Sequence, residues 1–240
     1  MRKMIAPLLL AITPLASFTP AHAAPAAVQA ASAEDPAYDH LYDAIIGGAD
    51  YDQIVDGMLV AMRQAFLAEK IIADAEAQRP GLVDRLMVAI RPVLATYSLR
   101  VRGEYRPRMI GLLRQHLTPA EAAEIADFYE TPIGRRLLAG VAQNYRPTNT
   151  MSKATNVDSI DTRDVTADMD QTAGKALGSL TSEELAQLAE AARTHPAIAK
   201  LGGIRADLAA LRVTMEKEPM TAEEEAALRD AVLTTLRAKD

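Results

Sequence analysis

A chain of 240 residues with no cysteine and no tryptophan holds no disulfide framework, no thiolate nucleophile and no cysteine-based metal site. Aromatic residues are 4% of it and hydrophobic residues 49%, so its core is built from alanine and aliphatic side chains, which suit packed helices better than sheets. The formal net charge of −6 is unevenly spread: residues 24–78 carry ten acids and two bases, residues 79–146 eleven arginines and six acids, and residues 147–240 sixteen acids and eleven bases. A basic middle between acidic ends either meets an anionic partner or pairs with its own acidic helices.

Arg2 and Lys3 precede an apolar run from Ile5 to Phe18, and Ala21-His22-Ala23 ends it with a small-x-small cleavage pattern. Residues 1–23 read as a signal peptide. The run falls short of the ~20 apolar residues a spanning helix needs, and Pro7 and Pro14 interrupt it. With no cysteine after the signal there is no lipoprotein anchor, so the expected location is periplasmic or secreted, after cleavage near Ala23. Residues 24–36 have no periodicity and are expected to be a disordered tether.

Residues 37–146 are expected to form a first helical domain. Pro36 opens a short helix that Gly47-Gly48 stops. Ile54, Val55, Met58, Leu59, Met62 and Phe66 then recur at helical spacing, in a helix expected to run to about Ala77. In the next segment Tyr97, Leu99 and Val101 alternate as in a strand. The wider window decides for helix, because Leu86, Ile90, Val93, Leu94, Tyr97, Val101 and Tyr105 make one apolar stripe. A bend is expected near Pro92 and a break at Pro107.

The stretch LTPAEAAEIADFYETPIGRRLL, residues 117–138, is a helical hairpin in outline. Thr118 and Glu121 form a capping box, and Phe128 and Tyr129 share the inward face. Thr131 before Pro132 ends one helix and caps the next, and Gly134 lets a neighbouring helix or the Phe128 ring come close. The start repeats as LTSEE at 180–184, 63 residues on, and as MTAEE at 220–224; the second copy also runs into a Thr/Pro break, RTHPAIAKL. Between the copies, residues 147–163 are polar and read as a linker. Residues 164–240 read as a C-terminal helical region carrying the degenerate repeat. The expected fold class is all-α, a bundle of capped hairpins in one body or two halves.

FYETPIGRRLL after LTPAEAAEIAD resembles the domain of unknown function 2059 family, exported bacterial proteins marked by FY-x-[ST]-P-x-G after an LT-x-x-E helix start. Phe128, Tyr129, Thr131, Pro132 and Gly134 carry the likeness. The resemblance implies an all-helical exported domain with no established activity and no catalytic residues to transfer.

Two readings of this motif compete. In one, Tyr129 presents its hydroxyl beside Arg135 and Arg136 as an interaction surface for a phosphate or carboxylate. In the other, the motif is a packed corner, and this is preferred because every residue in it has a turn or packing role. His40, His116 and His195 are scattered, without metal-ligand spacing. No G-x-S-x-G elbow, phosphate loop or dinucleotide fingerprint occurs. DMDQTAG at 168–174 departs from a calcium loop in its glycine position and at Ser179, which leaves solvated helix-start acids. Asp39 with Asp43, and Asp50 with Asp52, are the acid pairs a cell-wall hydrolase would need. No catalytic residue, cofactor or metal is therefore expected. The leading expectation is a non-enzymatic module that binds an envelope protein or a second copy of itself. The alternatives are peripheral binding of anionic lipid or an envelope polyanion through residues 79–146, and wall hydrolysis. Nucleic acid is not expected as a partner.

Overall fold

The computed structural model describes residues 35–153 and 159–238. The residues read as a signal peptide and, up to residue 34, as a tether lie outside the described residues, as do 154–158 of the segment read as a linker and the last two residues. Within them the fold is all-α, with no strand.

Local chemistry sets most helix starts. Asp35 accepts from the Ala37 N–H to open α1 (Pro36–Gly47), and Asp50 from Gln53 to open α2 (Tyr51–Ala68). The chain then breaks at Glu69, whose extended backbone separates α2 from α3 (Lys70–Gln78). The expectation of one helix to Ala77 is corrected here; neither Gly nor Pro marks the break. Glu76 closes the next turn, accepting from the N–H groups of Gly81 and Val83 at 2.7 and 2.8 Å.

Helix α4 (Leu82–His116) is continuous through Pro92 and Pro107. The break expected at Pro107 does not occur. Each proline lacks an N–H, so the carbonyls four residues earlier, on Val88 and Gly103, lose their backbone donors. All four residues are exposed, so water can hydrate those carbonyls and the buried stripe on the other side stays intact. At ~1.5 Å per residue α4 is about 50 Å long and serves as the axis of the molecule.

α5 (Pro119–Glu130) and α6 (Pro132–Asn144) form the hairpin read from the sequence. Within the segment read as a linker lies a further helix, α7 (Thr148–Met151), with Thr150 and Met151 buried. α8 (Thr162–Gly178), α9 (Ser182–Thr194), a 3-10 turn (Pro196–Lys200), α10 (Leu201–Glu216) and α11 (Ala222–Arg237) complete the chain.

Two buried clusters lie along α4. One gathers α2 and the first half of α4 with Tyr145, Met151 and Met215. The other gathers α1, the end of α4, α5, α6 and the start of α10. Leu211 packs against both, and α10 and α11 lie on α4 while α6 lies on α8. The C-terminal region therefore packs onto the N-terminal one. Asp168, read as a solvated acid, is 4% exposed and lies inside α8. Its carboxylate accepts from the N–H and side chain of Asn149 and of Thr150 at 2.7–2.9 Å, so α8 caps α7 through space.

Candidate functional site

The corner at Thr131 is built from the backbone outward. The Thr131 hydroxyl donates to the Phe128 carbonyl at 2.6 Å and accepts from the Gly134 N–H at 3.1 Å, so one side chain closes α5 and opens α6. Pro132 takes the first helical position, where no N–H is needed. A β-carbon on Gly134 would stand 2.1 Å from the Phe128 carbonyl oxygen and 2.7 Å from the Tyr129 Cα. The close approach the glycine was expected to allow is thus made by the backbone of the neighbouring helix α5, and not by the Phe128 ring.

The aromatic pair faces inward. Phe128 and Tyr129 lie 5.0 Å apart, tilted by 60°, in the cluster that also holds Tyr38, Leu41, Tyr42 and Ile45 of α1. Tyr129 is 1% exposed, its hydroxyl has no hydrogen-bond partner among the described residues, and burial pushes its pKa upward. A surface role for that hydroxyl is corrected by its depth. Arg135 is exposed and folds back to donate to the Glu130 carbonyl at 2.9 Å. Arg136 crosses to Glu184 at 3.1 Å and to the Ser179 carbonyl at 3.0 Å. Tyr129, Arg135 and Arg136 are therefore not gathered on one surface.

Residues 104–141 match a family described as "Uncharacterized protein conserved in bacteria (DUF2059)". The DUF2059 segment covers the last turns of α4, the whole of α5, the corner, and α6 as far as Val141. It is the part of the chain in which the second buried cluster meets α4. No curated protein and no solved structure matches the chain.

Around the DUF2059 segment the arginines are engaged at home. Arg106 pairs with Asp39 at 2.5 Å and Asp43 at 3.1 Å, Arg91 with Asp52 and Asp56 at 2.9 Å each, and Arg100 with Glu224 at 2.8 Å. Arg102, Arg108 and Arg114 lie over the rings of Tyr51, Tyr105 and Tyr38 at 4.8–5.5 Å. A guanidinium covers six of the seven tyrosines, Tyr129 being the exception. Such stacks hold a planar cation against an apolar face and leave fewer free donors for a foreign anion.

The acid pairs considered for glycoside cleavage are also occupied. Asp39 and Asp43 share Arg106, Asp50 caps α2, and Asp52 holds Arg91. His40 meets Glu130 and His116 meets Asp207, each at 2.9 Å, while the His195 ring lies 6.2 Å from Phe128. Among the described residues no three His, Asp or Glu side chains gather in a metal-binding group.

Beyond the DUF2059 segment lies a polar junction that sequence reasoning missed. Arg212 and Glu216, four residues apart on α10, form a buried ion pair at 3.0 Å. Arg212 also donates to the Tyr145 hydroxyl and stacks on its ring at 5.2 Å. Tyr145 ends α6, so the junction ties the C-terminal region to the end of the hairpin. Its signal in the sequence was an Arg and a Glu at i, i+4 spacing between Leu208, Leu211 and Met215.

Proposed function

We propose that the protein is an exported, non-enzymatic helical module of the bacterial cell envelope that works by binding protein. The observation that carries this reading is the internal pairing of arginines in the segment best suited to a polyanion. Arg91, Arg100, Arg106 and Arg136 are held by acids of α2, α11, α1 and α9, so part of its positive charge is already matched within the fold. Exposed apolar side chains on α2, α3 and α4, with Ile71 and Val88 the most exposed, favour a protein contact instead. The basic start, the apolar run and the Ala21-His22-Ala23 site support export.

The test uses the chain from Ala24 onward as bait in an envelope extract of its own bacterium, beside Arg135→Ala/Arg136→Ala, with sedimentation on phosphatidylglycerol vesicles at low salt in parallel. The expected result is a protein captured by both baits and no pelleting with vesicles. Pelleting that disappears as salt rises would instead favour the anionic-lipid reading, and no captured protein would sink the proposal. Export is checked by fractionating cells that express the chain with and without residues 1–23. Only the full chain should reach the periplasm or medium.

A further inference from the structure

The solvent-facing seam between α2 and α4 carries a pattern of charge and apolar surface that fits a second copy of itself. The two helices run antiparallel there. At one end Asp52 and Asp56 of α2 hold Arg91 of α4, and at the other Arg63 of α2 holds Asp84 of α4 at 2.6 Å. Between the ion pairs, one turn inward from each, stand Val60 of α2 and Val88 of α4. Val60 is 40% exposed and Val88 74%.

The signs at the four corners alternate. α2 is negative at the Asp52/Asp56 end and positive at Arg63, while α4 is positive at Arg91 and negative at Asp84. A twofold axis across the helices would set Asp56 against the other copy's Arg63, and Arg91 against its Asp84. A twofold axis along the helices would set Asp56 against Arg91, and Arg63 against Asp84. Either way every corner meets its opposite. An apolar centre ringed by exposed ion pairs is the common layout of a protein contact.

We infer that this α2–α4 face is a homodimer interface centred on Val60 and Val88. The inference rests on the protein-binding reading above and names its partner as a second copy of this chain. The face is about 10 Å long between its ion pairs, seven residues on each helix at ~1.5 Å per residue, and two helices wide. That is small beside the ~800 Å² per partner of a standard interface, so the dimer is reversible and concentration-dependent.

The test is sedimentation velocity of the purified mature chain over a wide concentration range at low salt. The expected result is a monomer–dimer equilibrium that Val88→Glu weakens at least tenfold. Leu185→Glu, on the exposed side of α9, should leave it unchanged. Because the chain has no cysteine, Val88→Cys supplies a single thiol: with the axis across the helices mild oxidation should link two copies through it, and with the axis along them a mixture of Val60→Cys and Val88→Cys chains should link instead. A monomer at every concentration, or a dimer unaffected by Val88→Glu and linked by neither thiol pairing, overturns the inference. If capture from extract still yields a different protein, only this inference falls and the protein-binding reading stands.

Discussion

Tyr129 poses its question in one oxygen atom. The ring fills the core beside Phe128, while the hydroxyl is buried without a partner among the described residues. Burying an unpaired hydroxyl costs about 1–3 kcal/mol, so Tyr129→Phe is expected to leave the fold intact and raise stability by roughly 1 kcal/mol, read as a higher urea midpoint. A fall in stability, or loss of a captured partner, would give the hydroxyl a role that packing does not. The corner's chemistry was legible in the sequence because Thr131, Pro132 and Gly134 act on backbone within six residues of themselves. The burial of Tyr129 was legible too, from the inward face it shares with Phe128, but the helix that covers it was not, since α1 lies about ninety residues earlier in the chain. Asp168 was misread for the same reason: its four donors sit on α7, in a segment whose polar composition looked like a linker.

At the scale of helices, the three capping boxes read from the sequence all form with both reciprocal bonds, at Thr118, Thr181 and Thr221. A fourth, at Asp161 and Asp164, escaped notice because aspartate occupies both positions. Each box glutamate does a second job. Glu121 receives Lys200, Glu184 receives Arg136, and Glu224 receives Arg100, so each helix start is clamped to another element. Composition could suggest the caps but not the clamps, which join residues 48 to 124 apart. The repeat also hides a difference: α1 lies along α5, whereas α9, the counterpart of α5, has no buried residue. In the hairpin itself, Gly134→Ala forces a methyl into the Phe128 carbonyl and should cost about 3 kcal/mol. Thermal unfolding of this variant beside Gly103→Ala, where the added carbon meets nothing within 4 Å, checks the claim. Equal melting temperatures would refute it.

For the molecule as a whole, the bundle was legible because alanine-rich amphipathic spacing is a local signal, while the breaks were not. Pro107 looked like a stop yet faces water on a helix held by its other side, and Glu69 is a stop with no breaker residue. The ion pairs that join the regions make stability depend on pH with a definite sign. Arg100 beside Glu224 holds that carboxyl below its ordinary value of 4.5, as backbone and arginine contacts do for Glu184. A carboxyl with a lowered folded pKa adds stability above its unfolded value and loses it as pH falls through the folded one. The urea midpoint should therefore hold near neutrality and decline below about pH 4.5. Glu224→Gln should lower the neutral value and flatten the decline. A variant whose profile runs parallel to the parent's would show that Glu224 contributes nothing to it.

One threonine serves as the last joint of α5 and the first of α6, and this leaves the hairpin no slack. Lengthening it by one residue after Thr131 would turn α6 by about 100°. Leu137 and Leu138 would swing out of the core, and Arg136 would lose its reach to Glu184. Natural variation in length at this bend should accordingly be confined to whole turns of helix, or absent.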